Sequence, residues 1–193
     1  REVRMEYADH IFPDKGFESQ GESDIYITAG RQGETFCNKF NHHAFRYVRV
    51  TGTEKRPRCT GLQISGGYEP AASFECSDAD LNAIHNMIFR TLRCLTFSGY
   101  MVDCPHLERT GYGGDGNSST MTLQTMYNVA PTYYNWLQAW GDVIDPDGSL
   151  PHVAPAGGGG GGPYWCGFII KAPWRTMLNY GDDRTMRLRY ADM

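Results

Sequence analysis

The chain has 193 residues, 40% hydrophobic and 21% charged, with a formal net charge of −4. This balance fits a folded globular chain of one or two domains. The charge does not suggest a nucleic-acid binder, and the sequence shows no apolar run near the ~20 residues a membrane helix needs and no secretory leader pattern.

Residues 1–70 read as β structure. The segments 24–29 (DIYITA), with Ile25 and Ile27 alternating, 44–50 (AFRYVRV) and 59–65 (CTGLQIS) are expected strands. In the second, Phe45 and Tyr47 point one way and Arg46, Val48 and Val50 the other. Turn signals at Pro13-Asp14-Lys15-Gly16, Gly30-Arg31-Gln32-Gly33 and Gly66-Gly67 separate the strands. Short strands so spaced suggest the end of a sandwich or barrel.

From residue 74 the period becomes helical. Leu81, Ile84, Ile88, Leu92 and Leu95 form one stripe, with Ser77 expected as the N-cap. A second helix is expected over about 117–128, opened by Asn117 or Ser118. A third is expected over about 132–144, with Tyr133, Leu137, Trp140 and Ile144 on one face, and a fourth over about 168–180, carrying Pro173 and capped by Gly181. Residues 99–116 and 145–167 are long loops, and loops of such length are usually functional. Domains are expected at 1–70 and 71–193. Arg1 and Met193 both read as cut ends, so a piece of a longer protein is expected.

Aromatic residues reach 13%. Rings can stack on sugar faces or fill a core. Trp136 and Trp140 stand at helical spacing and are expected in the core; Trp165, after the glycine run 157–162, is a candidate sugar platform. That run is either a mobile lip over the site or disordered. His42 and His43 precede a strand and read as surface or packing residues. Cys37, Cys59, Cys76, Cys94, Cys104 and Cys166 form no C-x-x-C pair, so neither a zinc ribbon nor a disulfide scaffold is indicated. Most are expected as buried thiols, which leaves the compartment open.

Residues 103–116 read DCPHLERTGYGGDG, and three chemistries compete for them. Gly111-Tyr112-Gly113-Gly114-Asp115-Gly116 matches G-x-G-x-x-G. Glu108-Arg109-Thr110 before it is no buried strand, and Asp115 would face a phosphate with like charge. His106-Leu107-Glu108 matches half of a zinc deaminase signature, without the P-C-x-x-C half. Asp145-Pro146-Asp147-Gly148 lacks the later ligands of a calcium loop. No metal is therefore assigned. The carboxylate reading takes Asp103, Glu108 and Asp115 together on one glycine-rich loop. Crowded acids raise the pKa of one of their number, which suits it to donate a proton to a leaving oxygen, and the others can accept from sugar hydroxyls. A solvated acidic loop with Arg109 paired to an acid stands beside it as the alternative.

The spacing Asp103-Cys104-Pro105 … Glu108-Arg109 … Gly111-Tyr112 … Gly114-Asp115 resembles the D-C-P … E-R-x-G-W-x-G-D signature of the bacterial α-L-rhamnosidases of glycoside hydrolase family 78. The likeness extends outward. Phe74-Glu75-Cys76-Ser77-Asp78 and the helix after it resemble the opening of that family's (α/α)6 barrel. Asp147-Gly148-Ser149-Leu150-Pro151 resembles a later loop, and Pro173-Trp174 … Asn179-Tyr180-Gly181-Asp182 a later helix. His43 to Gly52 resembles the strand closing its β-sandwich.

The resemblance implies a mixed fold: the C-terminal part of a β-sandwich, then the first helices of an (α/α)6 barrel. It implies release of terminal α-L-rhamnose with inversion and without a cofactor, from a carbohydrate substrate with no nucleic-acid or membrane partner. Inverting enzymes hold an acid and a base ~6.5–9.5 Å apart. By motif position Glu108 is the acid, Asp103 and Asp115 grip rhamnose hydroxyls, and Arg109 lies beside the acid. Tyr112 and Trp165 are candidate rings at the sugar, and His152 a candidate to reach it. No segment matches the family's base. There are departures: Tyr112 stands for a Trp, His106-Leu107 for a more polar pair, and Tyr164-Trp165-Cys166-Gly167 lacks an acid. A non-catalytic carbohydrate-binding protein on the same scaffold, or another helical-barrel carbohydrate enzyme, are the rivals. One acting on uronic acids would need more cations than Arg109.

Overall fold

The computed structural model describes residues 1–19, 21–159 and 162–193. It divides into two units, Arg1–Leu62 with Cys104–Glu108, and Gln63–Asp103 with Arg109–Met193. The Cys104–Glu108 segment, expected in the second domain, thus groups with the first unit.

In the first unit, β1 (Glu2–Ala8) is followed by the two-residue strands β2 (Ile11–Phe12) and β3 (Gly16–Phe17), then β4 (Ser23–Ile27) and β5 (Tyr47–Thr51). β1 is central, antiparallel to β4 on one side and β5 on the other. The sequence reading missed it, although Val3, Met5 and Tyr7 alternate with Arg4 and Glu6 as a half-buried strand should. Residues directly opposite in an antiparallel pair share a face. Register therefore puts Met5 and Tyr7 with Asp24, Val48 and Val50, and Arg4 and Glu6 with Ile25 and Arg49. Ile25 and Ile27 lie on this second, charged face and are exposed. The expected strand at 59–65 is absent; Leu62 and Ile64 are exposed in irregular chain.

Of the two readings of His43, surface or packing, the structure takes packing. Its side chain is only 4% exposed, held 2.9 Å from both Glu22 and Asp24. The ring stacks on Tyr7 at 4.0 Å between centroids. Tyr7 donates to Asp24 at 2.8 Å and Asn38 donates to it at 2.6 Å. Burial pulls the Asp24 carboxyl upward, but hydrogen bonds from Asn38 and Tyr7 and the neighbouring His43 outweigh it, so the carboxyl sits below its usual 3.8. A depressed carboxyl stabilises the fold above 3.8, its unfolded value, and that contribution is lost as pH falls through the lower folded value. Between pH 5 and pH 3, thermal melts should therefore lose more stability in the parent than in Asp24→Asn. Equal losses would show that Asp24 is not responsible.

The second unit begins with α1 (Ala79–Leu95), the hairpin β6 (Thr96–Phe97) and β7 (Tyr100–Met101), and α2 (Gly113–Met126). α3 (Ala130–Asp142), the short α4 (Pro163–Cys166), α5 (Phe168–Tyr180) and α6 (Arg184–Arg189) follow. Asp78, not Ser77, caps α1, accepting from the N–H groups of Asp80 and Leu81. The stripe on α1 is buried only toward its end. Leu92 is buried, Ile88 and Leu95 are partly so, and Leu81 and Ile84 are exposed. Ser98 and Gly99, both at positive φ, turn the hairpin after α1.

α2 and α3 form an antiparallel hairpin. Tyr133 donates to Thr120 inside it, and Trp136 stacks obliquely on Phe168 at 4.4 Å. α5 runs parallel to α2: Lys171 donates to the Asn117 carbonyl, and one helical stretch later the buried Gln124 amide donates to Thr176. The core between them holds Leu123, Tyr133, Trp136, Leu137, Trp140, Phe168, Ile169 and Ala172, so both expected core tryptophans are there. Pro173 lies inside α5, and Gly181 at φ 67 caps it. None of the six cysteines is buried, against expectation. Among the described residues, no helix is long and apolar enough to cross a membrane.

Candidate active site

The motif is a tied loop running into a helix. Asp103 donates its N–H to the Thr110 carbonyl and its Oδ1 accepts from the Thr110 N–H, both at 3.1 Å. This two-bond clasp closes the neck of the loop 104–109. Within the loop, Leu107 N–H reaches the Cys104 carbonyl at 3.4 Å. The turn brings the Glu108 carboxylate and the Cys104 thiol within 4.8 Å of each other. Glu108 is exposed. Arg109, on the rising side of the neck, sits at φ 57, a left-handed conformation that costs a non-glycine residue energy and recurs at functional sites.

After the clasp the chain pairs with the loop that follows α3. Tyr112 bridges antiparallel to Val153; Ala154 N–H donates to the Gly111 carbonyl at 3.1 Å and Gly113 N–H to the His152 carbonyl at 2.9 Å. The Ala154 carbonyl also accepts from Trp136 Nε1 at 3.0 Å, which anchors this pairing to the core. Gly111 is required by contact: a Cβ there would strike the Ala154 carbonyl and stand 3.0 Å from Trp136 Nε1.

The helix opens earlier than the sequence reading placed it. Gly113, Gly114 and Asp115 form the first turn of α2, with Tyr112 as N-cap. Asp115 therefore stands on a helix and not on the loop. It is exposed, in the first turn, where a carboxylate is favoured by the helix dipole. Glycines are poor helix formers, so the start was hidden. Burial explains it: a Cβ on Gly116 would lie 2.7 Å from both Phe168 and Trp136.

Trp165 lies on α4 and is 38% exposed. Its ring rests on Gly114, where a Cβ would be 2.6 Å from Cε2. Trp165 packs obliquely against His152 at 5.6 Å and edge-on to Tyr164 at 5.9 Å. Asn117 donates to the Tyr164 carbonyl at 2.7 Å and so ties α4 to α2. Asp103, Arg109, Tyr112, Asp115 and Trp165 thus belong to the second unit, and Glu108 to the first. His152, a candidate to reach the sugar, lies against the Trp165 ring. Of the glycine run expected as a lip, Gly160 and Gly161 lie outside the described residues. Sequence reasoning missed the Asp103–Thr110 clasp, for which a carboxylate seven residues before a threonine gives no signal.

Residues 69–193 match the family model of the bacterial alpha-L-rhamnosidase 6 hairpin glycosidase domain, and residues 1–66 that of the bacterial alpha-L-rhamnosidase concanavalin-like domain. An alpha-L-rhamnosidase of Streptomyces avermitilis is 30% identical over 195 residues, covering 95% of this chain and 19% of the relative. One from Formosa agariphila is 27% identical over 201 residues, covering 95% and 21%. The solved alpha-L-rhamnosidase from Dictyoglumus thermophilum superposes with a TM-score of 0.86 at 26% identity, over 100% of this chain and 23% of that one. The Streptomyces avermitilis alpha-L-rhamnosidase complexed with L-rhamnose gives 0.88 at 29%, over 99% and 20%. The chain spans about a fifth of the length of the curated relatives it matches. With a concanavalin-like region followed by a six-hairpin glycosidase region, matched over 1–66 and 69–193, the chain belongs to the bacterial α-L-rhamnosidase family.

Proposed function

We propose that this chain is the part of an exo-acting α-L-rhamnosidase that carries the general acid, and that it supplies the first hairpins of the enzyme's helical barrel. The single observation supporting this most is that the acid motif, Asp103 through Asp115, lies within a match to the glycosidase domain that runs over 69–193. Glu108 protonates the glycosidic oxygen as its bond to the anomeric carbon breaks. Asp103 and Asp115 accept hydrogen bonds from rhamnose hydroxyls, with Arg109 beside the acid. Tyr112 and Trp165 offer flat apolar surface to the ring. The water-activating carboxylate lies outside this chain, so the 193-residue chain alone turns over no rhamnoside.

The reading makes the reaction inverting. Water attacks the face opposite the departing oxygen, and the acid and base flank the bond with room for that water. Proton NMR of the first turnovers of the whole enzyme on an α-L-rhamnoside should show the β anomer of free rhamnose before mutarotation. The α anomer appearing first would overturn inversion.

A further inference from the structure

Two residues before the proposed acid stands a histidine with no task in that chemistry. His106 belongs to the Cys104–Glu108 segment, which is part of the first unit. Its Nε2 lies 3.6 Å from Oδ2 of Asp9, the residue that follows β1. The ring lines a small crevice with Ala8, Glu18, Glu22 and Ala44. β1 is bonded on both sides, and at its end Tyr7 is fixed by Asp24 and by stacking on His43. Asp9 therefore projects from a well-held strand. Within the turn that carries Glu108, the Leu107 N–H reaches the Cys104 carbonyl at 3.4 Å.

We propose that Asp9 and His106 are positioning residues for the general acid. Their contact ties the acid-bearing turn to the end of β1 and holds the Glu108 carboxyl in line with the leaving oxygen. The proposal rests on Glu108 being the acid. The pair is partly exposed, with side chains 29% and 45% accessible, so it adds little to stability. Its value is geometric, since a catalytic group displaced by about 1 Å can cost about a hundredfold in rate. A misplaced donor harms a poor leaving group, which must be protonated to depart, more than an activated one.

The test compares the parent enzyme with Asp9→Ala, His106→Ala and His106→Gln on an alkyl and a nitrophenyl α-L-rhamnoside. For both alanine variants, kcat on the alkyl substrate should fall about tenfold and on the nitrophenyl substrate about twofold, with KM little moved. His106→Gln, which keeps a donor toward Asp9, should recover most of the loss. Equal losses on both substrates, or a change confined to KM, would overturn the positioning role. Glu108→Gln run in parallel separates the two claims. If it leaves turnover intact, the acid assignment fails. If it is crippled while Asp9→Ala keeps the parent's leaving-group dependence, only the positioning role fails.

Discussion

Glu108→Gln, placed in the enzyme that carries this chain, should lower kcat on an alkyl α-L-rhamnoside by about 10²–10⁴, the usual worth of general acid catalysis. The amide keeps the size and much of the hydrogen bonding of the carboxyl but has no proton to give. A nitrophenolate departs without protonation, so kcat on the nitrophenyl substrate should fall much less. KM should stay close to the parent's, because the acid acts on charge that develops in the transition state. The measurement is the pair of kcat values across the two aglycones. A loss of the same size on both would take Glu108 out of the acid role and leave it as a binding residue.

The largest effect on stability is expected from Trp136→Ala. Trp136 is 1% exposed, packs on Phe168 at 4.4 Å, and donates Nε1–H to the Ala154 carbonyl. Removing it opens a cavity between α2, α3 and α5 and costs about 3–5 kcal/mol. The deletion also strips a hydrogen bond from the buried carbonyl that anchors the segment opposite Gly111. Urea unfolding should show the loss as a lower midpoint. Trp136→Phe, which keeps the ring volume better but not the N–H, should lose less. A midpoint for Trp136→Ala within error of the parent would mean the core does not depend on this ring.

What was legible in the sequence follows from how local each signal is. α3 and α5 were read closely, because Tyr133, Leu137 and Trp140 repeat at helical spacing and Gly181 marks a stop. Val48 and Val50 were placed on one face of their strand by alternation alone, and register bears that out. β1 was overlooked although its alternation is plain. The strand expected at 59–65 failed because Leu62 and Ile64 find nothing to cover them. The start of α2 was hidden by glycines whose value is tertiary: they let Trp136, Phe168 and Trp165 approach the backbone. His43 could not be recognised as a buried hub, since its partners Glu22 and Asp24 lie 21 and 19 residues away. In the motif, residue types and spacing were legible. That Asp115 rides on a helix while Glu108 rides on a turn was not, because that difference is set by packing.

The clasp between Asp103 and Thr110 has a consequence for variation. A loop whose two ends are bonded to each other keeps its base when its tip is altered: the Asp103–Thr110 bonds use no side chain from 104 to 109, so a substitution such as His106→Ala moves the tip like the bit of a drill and leaves the chuck as it was.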